Sequence, residues 1–231
     1  MPFMGFNQGL LKFHLFSKRY FMDFNNYIDI TPLISGEMAV FPGDQVFTRK
    51  VVMDCVKGDH LTLSSINTTV HIGAHADASN HYHKEGQGIE KRSLDYYMGD
   101  CQVIDVSKMS GPVIEPIDFN LSKVKSKRVL FKTLSFPDPN NWNNDFFGIS
   151  VAVINALAGA GVITVGIDTP SIDPASSKTL DAHLCIYKSN LAILEGIVLS
   201  EVQEGRYNLM ALPLKIKGCD ASPVRALLFN K

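Results

Sequence analysis

Four of the chain's seven histidines, His71, His75, His81 and His83, fall within thirteen consecutive residues, HIGAHADASNHYH, with Asp77 among them. Neutral imidazole plus carboxylate is a ligand set for zinc, manganese or non-haem iron, and two histidines with one acid leave positions open for water and substrate. Open positions point to a catalytic metal. A second candidate is Glu195, which has apolar neighbours on both sides in LAILEGIVL. A buried carboxylate must be neutralised, paired or bound to a cation, because isolated burial costs several kcal/mol. A solvent-facing or Lys/Arg-paired Glu195 explains the pattern equally well. His183, in DAHLC, is available for a second site.

Spacing limits how the backbone can gather these groups. On a helix, His71 and His75 would stand about 40° apart while Asp77 and His81 pointed elsewhere. In an extended strand the odd positions 71, 75, 77 and 81 share a face but stretch over roughly 33 Å. A strand curling into a loop at Gly73 can bring them together. Residues 61–71, LTLSSINTTVH, have the β-branched, loosely alternating character of such a strand. The cluster is therefore expected to begin where a strand ends.

The rest of the chain reads as mixed α and β with more strand than helix. Strands are expected at YIDI, 101–106, 127–133, 163–168, 191–199 and 207–216, and a helix at 150–160 with Ser150 as N-cap and Gly161 as its stop. Asp168 and Asp173 flank Thr169-Pro170, either as partners of a ligand histidine or as turn caps. His83 reads as surface, and nothing singles out His60.

With 231 residues, 45% of them apolar, the chain can bury a core without staples. Twenty-two basic against 23 acidic residues give a net charge of -1 and no footprint for nucleic acid, so a small-molecule substrate is the expected partner. The apolar runs are too short for a membrane span. Cys55, Cys101, Cys185 and Cys219 form no C-x-x-C pair, which fits a reducing, cytoplasmic setting. Residues 1–24 read as a weakly ordered extension, with a targeting segment as its rival reading and Met22 as an alternative start, and 25–231 as one domain.

Across roughly residues 25–230 the sequence resembles the bacterial kynurenine formamidases of the metal-dependent cyclase superfamily. The resemblance rests on FPGD (41–44), HIGAHADASNH (71–81), GIDTPSIDP with SKTLDAH (166–183), AILEGIVL (192–199) and ALPLKIKGCDASPVRALL (211–228). It implies a strand-rich mixed α/β single domain of the swivelling β/β/α type, with the site at strand ends and loops. It further implies two zinc ions per subunit, with manganese as the alternative metal. His71, His75 and Asp77 would hold the first ion, Asp77 would bridge to a second held by His183, and Glu195 would touch both. His81 takes the role of proton donor and acceptor, and a homodimer is implied. Phe41 stands where the family has a tryptophan against substrate, and Ser79 where it has proline.

The implied reaction is hydrolysis of an N-formyl aryl amide by metal-activated hydroxide. A related hydrolase of ring amides of the isatin type is the nearest alternative. An iron oxygenase triad of His75, Asp77 and His183 would leave His71 idle and lacks a basic residue soon after His183, where the one nearby lysine is Lys188 and the first arginine is Arg206. A non-catalytic metal-binding protein would have no use for His81.

Overall fold

The computed structural model describes residues 26–231, so the expected N-terminal extension lies outside the described residues. In chain order the elements are β1 (Tyr27–Asp29), β2 (Thr48–Met53), β3 (Leu63–Asn67), β4 (His75–Asp77), β5 (Met98–Asp105), β6 (Val113–Ile114), β7 (Arg128–Lys132), β8 (Gly148–Ile149), α1 (Val151–Gly159), β9 (Thr164–Ile167), α2 (Asp181–Lys188), β10 (Ala192–Glu195), β11 (Gly205–Met210), β12 (Ala221–Pro223) and β13 (Leu227–Asn230). Nine strands form one sheet in the order β1-β13-β11-β5-β7-β9-β10-β4-β12.

The centre of this sheet, β5-β7-β9-β10, is parallel, and antiparallel strands flank it. Strands covered on both faces need apolar residues at every position rather than alternation. RVLFK, TVGI and AILE are accordingly buried throughout. One face packs Val129, Phe131, Val165, Ile167 and Ile193 against residues of α1 and α2. The other packs Val103, Leu130, Leu194 and Leu209. The expected strand-rich mixed fold in one domain is what forms. Among the described residues no helix is long and apolar enough to cross a membrane.

Several local expectations change. The strand read over 61–71 shortens to β3, which leaves the main sheet and pairs with β2 in a hairpin whose β3 residues are all exposed. LAILEGIVL is strand only to Glu195, because Gly196 turns the chain at φ 64. Beyond β11, residues 211–216 run without regular structure. Helix α1 matches its expectation: the Ser150 side chain accepts the Val153 N–H, and Gly161 follows at φ 83. Helix α2 was not anticipated, and its start is Leu180 in the left-handed region, without a side-chain cap of its own.

Gly196 is a close approach as well as a turn. A Cβ built there would lie 2.1 Å from the Gly73 carbonyl oxygen, so the segment leaving β10 rests on the loop entering β4. Gly196→Ala is expected to cost roughly 2 kcal/mol or more, from the left-handed backbone plus the clash. Denaturant unfolding should show a lowered midpoint, and bound metal measured on the same sample should fall with it.

Candidate metal centre

Strand pairing sets the first candidate ligand positions. In the antiparallel β4–β10 pair, His75 lies opposite Glu195 and Asp77 opposite Ile193. The two-residue period of a strand turns these four side chains to one face. Ala74, Ala76 and Ala78 pack into the core on the other. His71 enters from the bends before β4, His81 from the 3-10 turn Ser79–His81, and His183 from the first turn of α2.

These groups converge. Asp77 Oδ1 lies 3.0 Å from His71 Nδ1 and 3.5 Å from His75 Nε2, while its Oδ2 lies 3.4 Å from His183 Nε2. Glu195 is divided in the same way, with Oε2 3.2 Å from His75 Nε2 and Oε1 3.6 Å from His183 Nε2. Each carboxylate thus offers one oxygen to the His71–His75 side and one to the His183 side. His75, Asp77, His183 and Glu195 are all 2% exposed. No Lys or Arg among the described residues pairs with either acid, so the surface or Lys/Arg-paired reading of Glu195 falls.

The remaining ring nitrogens are already committed. His75 Nδ1 donates to the Gly73 carbonyl at 2.9 Å, His183 Nδ1 lies 2.6 Å from Asp173 Oδ2, and His71 Nε2 lies 3.1 Å from Asp220 Oδ2. A histidine held this way keeps its other nitrogen free as a ligand and correctly aimed. Among the described residues, His75 Nε2 and both oxygens of Asp77 are buried without a hydrogen-bond partner. Orphaned buried acceptors and aimed imidazoles, all within ligand reach, suit a divalent cation.

The titration behaviour says the same in protons. Burial works against a charged His71, yet contacts with Asp77 and Asp220 prevail and raise it to about 9. Burial likewise opposes charge on His183, but Asp173, Asp77 and Glu195 raise it to about 10. Asp77 is held well below its usual range, burial being outweighed by His183 and His71. Metal-free, the cluster neutralises its acids by protonating histidines. His81 goes the other way, because burial dominates and lowers it, leaving a neutral ring at pH 7.

Two expectations about the neighbouring acids resolve differently. Asp173 is both histidine partner and cap, since it also accepts the N–H groups of Ala182 and His183. Asp168 touches no histidine among the described residues. It accepts from the Thr133 and Leu134 N–H groups and the Thr133 hydroxyl. Asp220 was not singled out from sequence, although DASPVRA belonged to the resemblance; its carboxylate lies between His71 and His81, 3.7 Å from His81 Nδ1. His83 stands apart, stacked on Tyr187 with ring centroids 3.8 Å apart, and His60 is exposed. Phe41 lines the cavity of about 540 Å³ into which His71, His75, His81, His183 and Glu195 open.

Because the folded-state values of His71 and His183 are raised, protonation stabilises the metal-free fold below about pH 6.5, and that stability is lost as pH climbs through about 9 and 10. The melting temperature of chelator-treated protein should fall steadily over this window, and metal addition in weak buffer should release protons. A flat profile would overturn the assigned charge pattern. Asp173→Ala should weaken metal binding by about 10–100-fold in a competition titration.

Comparison with known proteins places this geometry. Residues 28–174 match the Cyclase family model, described as "Putative cyclase". A kynurenine formamidase of Delftia acidovorans is 41% identical over 202 residues, 87% of this chain and 95% of the relative. A solved potential metal-dependent hydrolase with cyclase activity superposes at a TM-score of 0.79 with 28% identity, covering 89% of this chain and 98% of the other. Isatin hydrolase A from Labrenzia aggregata shares the fold at a TM-score of 0.76 and 19% identity, over 88% and 93% of the two chains. The chain belongs to the Cyclase family.

Proposed function

We propose that this chain hydrolyses N-formyl-L-kynurenine to L-kynurenine and formate. The observation that carries the reading is the divided pair of carboxylates. Asp77 and Glu195 each turn one oxygen to the His71–His75 side and the other to His183, beside a neutral His81 in an open cavity. Relatives with the name kynurenine formamidase, similar over most of the chain, supply the substrate.

In this reading His71, His75 and Asp77 would hold one zinc ion and His183 a second, with Asp77 and Glu195 placed to serve either. Zinc, the count of two, the homodimer and the cytoplasmic setting rest on the family resemblance. When bound, the metal supplies hydroxide near neutral pH and polarises the formyl oxygen. The chain's own groups do the rest. Asp173, Asp220 and the Gly73 carbonyl keep the ligand histidines aimed. His81, kept neutral by burial, accepts the proton lost as the oxygen attacks and delivers it to the aniline nitrogen when the C–N bond breaks. Phe41 lies against the substrate.

The ring-amide alternative demands the same nucleophile and the same proton transfer. Its solved examples resemble this chain at 17–20% identity, which speaks to fold alone.

Steady-state assays of N-formyl-L-kynurenine, a simpler aryl formamide and isatin, with metal content measured on the same sample, test the proposal. N-formyl-L-kynurenine should be strongly preferred; preference for isatin would transfer the assignment to the ring-amide class. His81→Ala should lower kcat by about 10²–10⁴-fold while metal stays bound. Parental turnover in that variant would remove His81 from its role.

A further inference from the structure

We propose that Trp142 is the principal wall of an aryl-binding subsite, with Phe41 and Phe136, so that ring recognition comes from the loop after β7 as well as from position 41. The inference rests on the formamidase reading and extends it to a residue that neither the histidine cluster nor the resemblance assigned.

Trp142 and Phe136 line the same cavity as the candidate metal ligands. The indole meets Phe41 edge-on, with centroids 5.0 Å apart and planes at 70°, and meets Phe136 at 5.8 Å and 68°. Behind them Phe146, 1% exposed, braces both rings at 5.8 and 6.1 Å. Edge-to-face packing of this kind fixes ring planes and leaves faces available to a further aromatic group. If the cluster served packing alone it would be sealed, yet Phe41 is 42% exposed at the cavity and Trp142 is half-buried there. The indole N–H is already bonded to Asn144 Oδ1 at 2.9 Å, so ring contact is what Trp142 has left to offer.

The loop that carries Trp142 is a built feature. Its entry is Leu134 at φ 57, a conformation that a branched residue adopts only when its surroundings impose it. Asp168 imposes it, accepting the Thr133 and Leu134 N–H groups at 2.9 and 3.0 Å. Ser135 Oγ closes the base of the loop by accepting the Phe147 N–H at 2.9 Å. The Ala39 N–H donates to the Pro139 carbonyl at 3.0 Å, which ties the loop to the segment bearing Phe41. Two separate stretches of chain are thereby fastened together with their rings facing one cavity. A planar aryl amide is the ligand class that fits, and it meets the reduced ring at Phe41 with a larger one opposite.

Trp142 is the chain's single tryptophan, which gives a direct reading of occupancy. L-kynurenine absorbs where indole emits, so titration of the metal-loaded protein with L-kynurenine should quench the emission saturably. Trp142→Leu should lower the ratio of kcat/KM for an aryl formamide over an alkyl formamide by about ten-fold, chiefly through KM, and Trp142→Phe should recover part of it. An unchanged ratio in both variants, or emission indifferent to L-kynurenine in a wild-type protein that turns over N-formyl-L-kynurenine, would overturn the subsite. Absence of turnover with any aryl formamide would instead defeat the formamidase reading. The same fluorescence titration with isatin would then decide the subsite separately, quenching supporting it and its absence removing it.

Discussion

Two carboxylates, Asp77 and Glu195, are buried between three imidazoles with no Lys or Arg among the described residues to answer them, and much of the architecture follows from that arrangement. Placing even one such charge in the interior costs several kcal/mol when it is left alone. The chain meets the cost with groups that can either take a proton or bind a cation. Raised values at His71 and His183 are the proton version of the bargain, and metal binding exchanges those protons for a divalent charge. Folding and metal loading are therefore coupled through the same atoms. A centre of this kind must be held on rigid elements, and the β4–β10 ladder does that by setting His75 directly across from Glu195.

The parallel block explains why the chemistry gathers at one end. Strands β7, β9 and β10 run the same way, so Thr133, Asp168 and Glu195 emerge side by side at their carboxyl ends. Open sheets containing parallel strands collect ligands in the crevice outside these ends. Here each of the three contributes something different: β10 a charged candidate ligand, β7 the loop that carries the aromatic rings, and β9 the acid that fastens that loop. The antiparallel β4 then brings in His75 and Asp77 from the other side of β10.

Much of this was legible in the sequence, and the gaps have physical causes. The histidine cluster was visible because four imidazoles and an acid in thirteen residues are a ligand set, whereas residue pattern alone left Glu195 equally well read as buried or as solvent-facing. The central strands were visible because two-sided burial leaves unbroken apolar runs. What local pattern could not show was partnership at a distance. LTLSSINTTVH has strand character, but which sheet it joins depends on partners rather than propensity, and β3 pairs with β2 outside the main sheet. Helix α2 was missed because its first N–H groups are satisfied by Asp173, eight residues before the helix begins, and not by an adjacent N-cap. Asp220 was missed for the same reason, since its partner His71 is 149 positions away and only the fold brings them together.

The two acids around Thr169-Pro170 show how one short segment organises both sides of the cavity. Asp168 and Asp173 differ in what they hold rather than in kind. Each spends its oxygens on backbone N–H groups next to a residue in the left-handed region: Leu134 at φ 57 beside Asp168, and Leu180 at φ 51 just before the helix that Asp173 caps. Such conformations cost of order 1–2 kcal/mol each for a branched side chain and persist only where the surroundings over-determine them. One clamp fixes the approach of the aromatic loop, the other the approach of His183. Asp168 sits with its carboxyl raised above the ordinary value, because burial outweighs the hydrogen bonds it accepts, whereas at Asp173 burial is outweighed by contact with His183 and the carboxyl is lowered. The segment therefore serves both sides of the cavity, with Asp173 behind the candidate metal ligand His183 and Asp168 behind the loop that carries the rings.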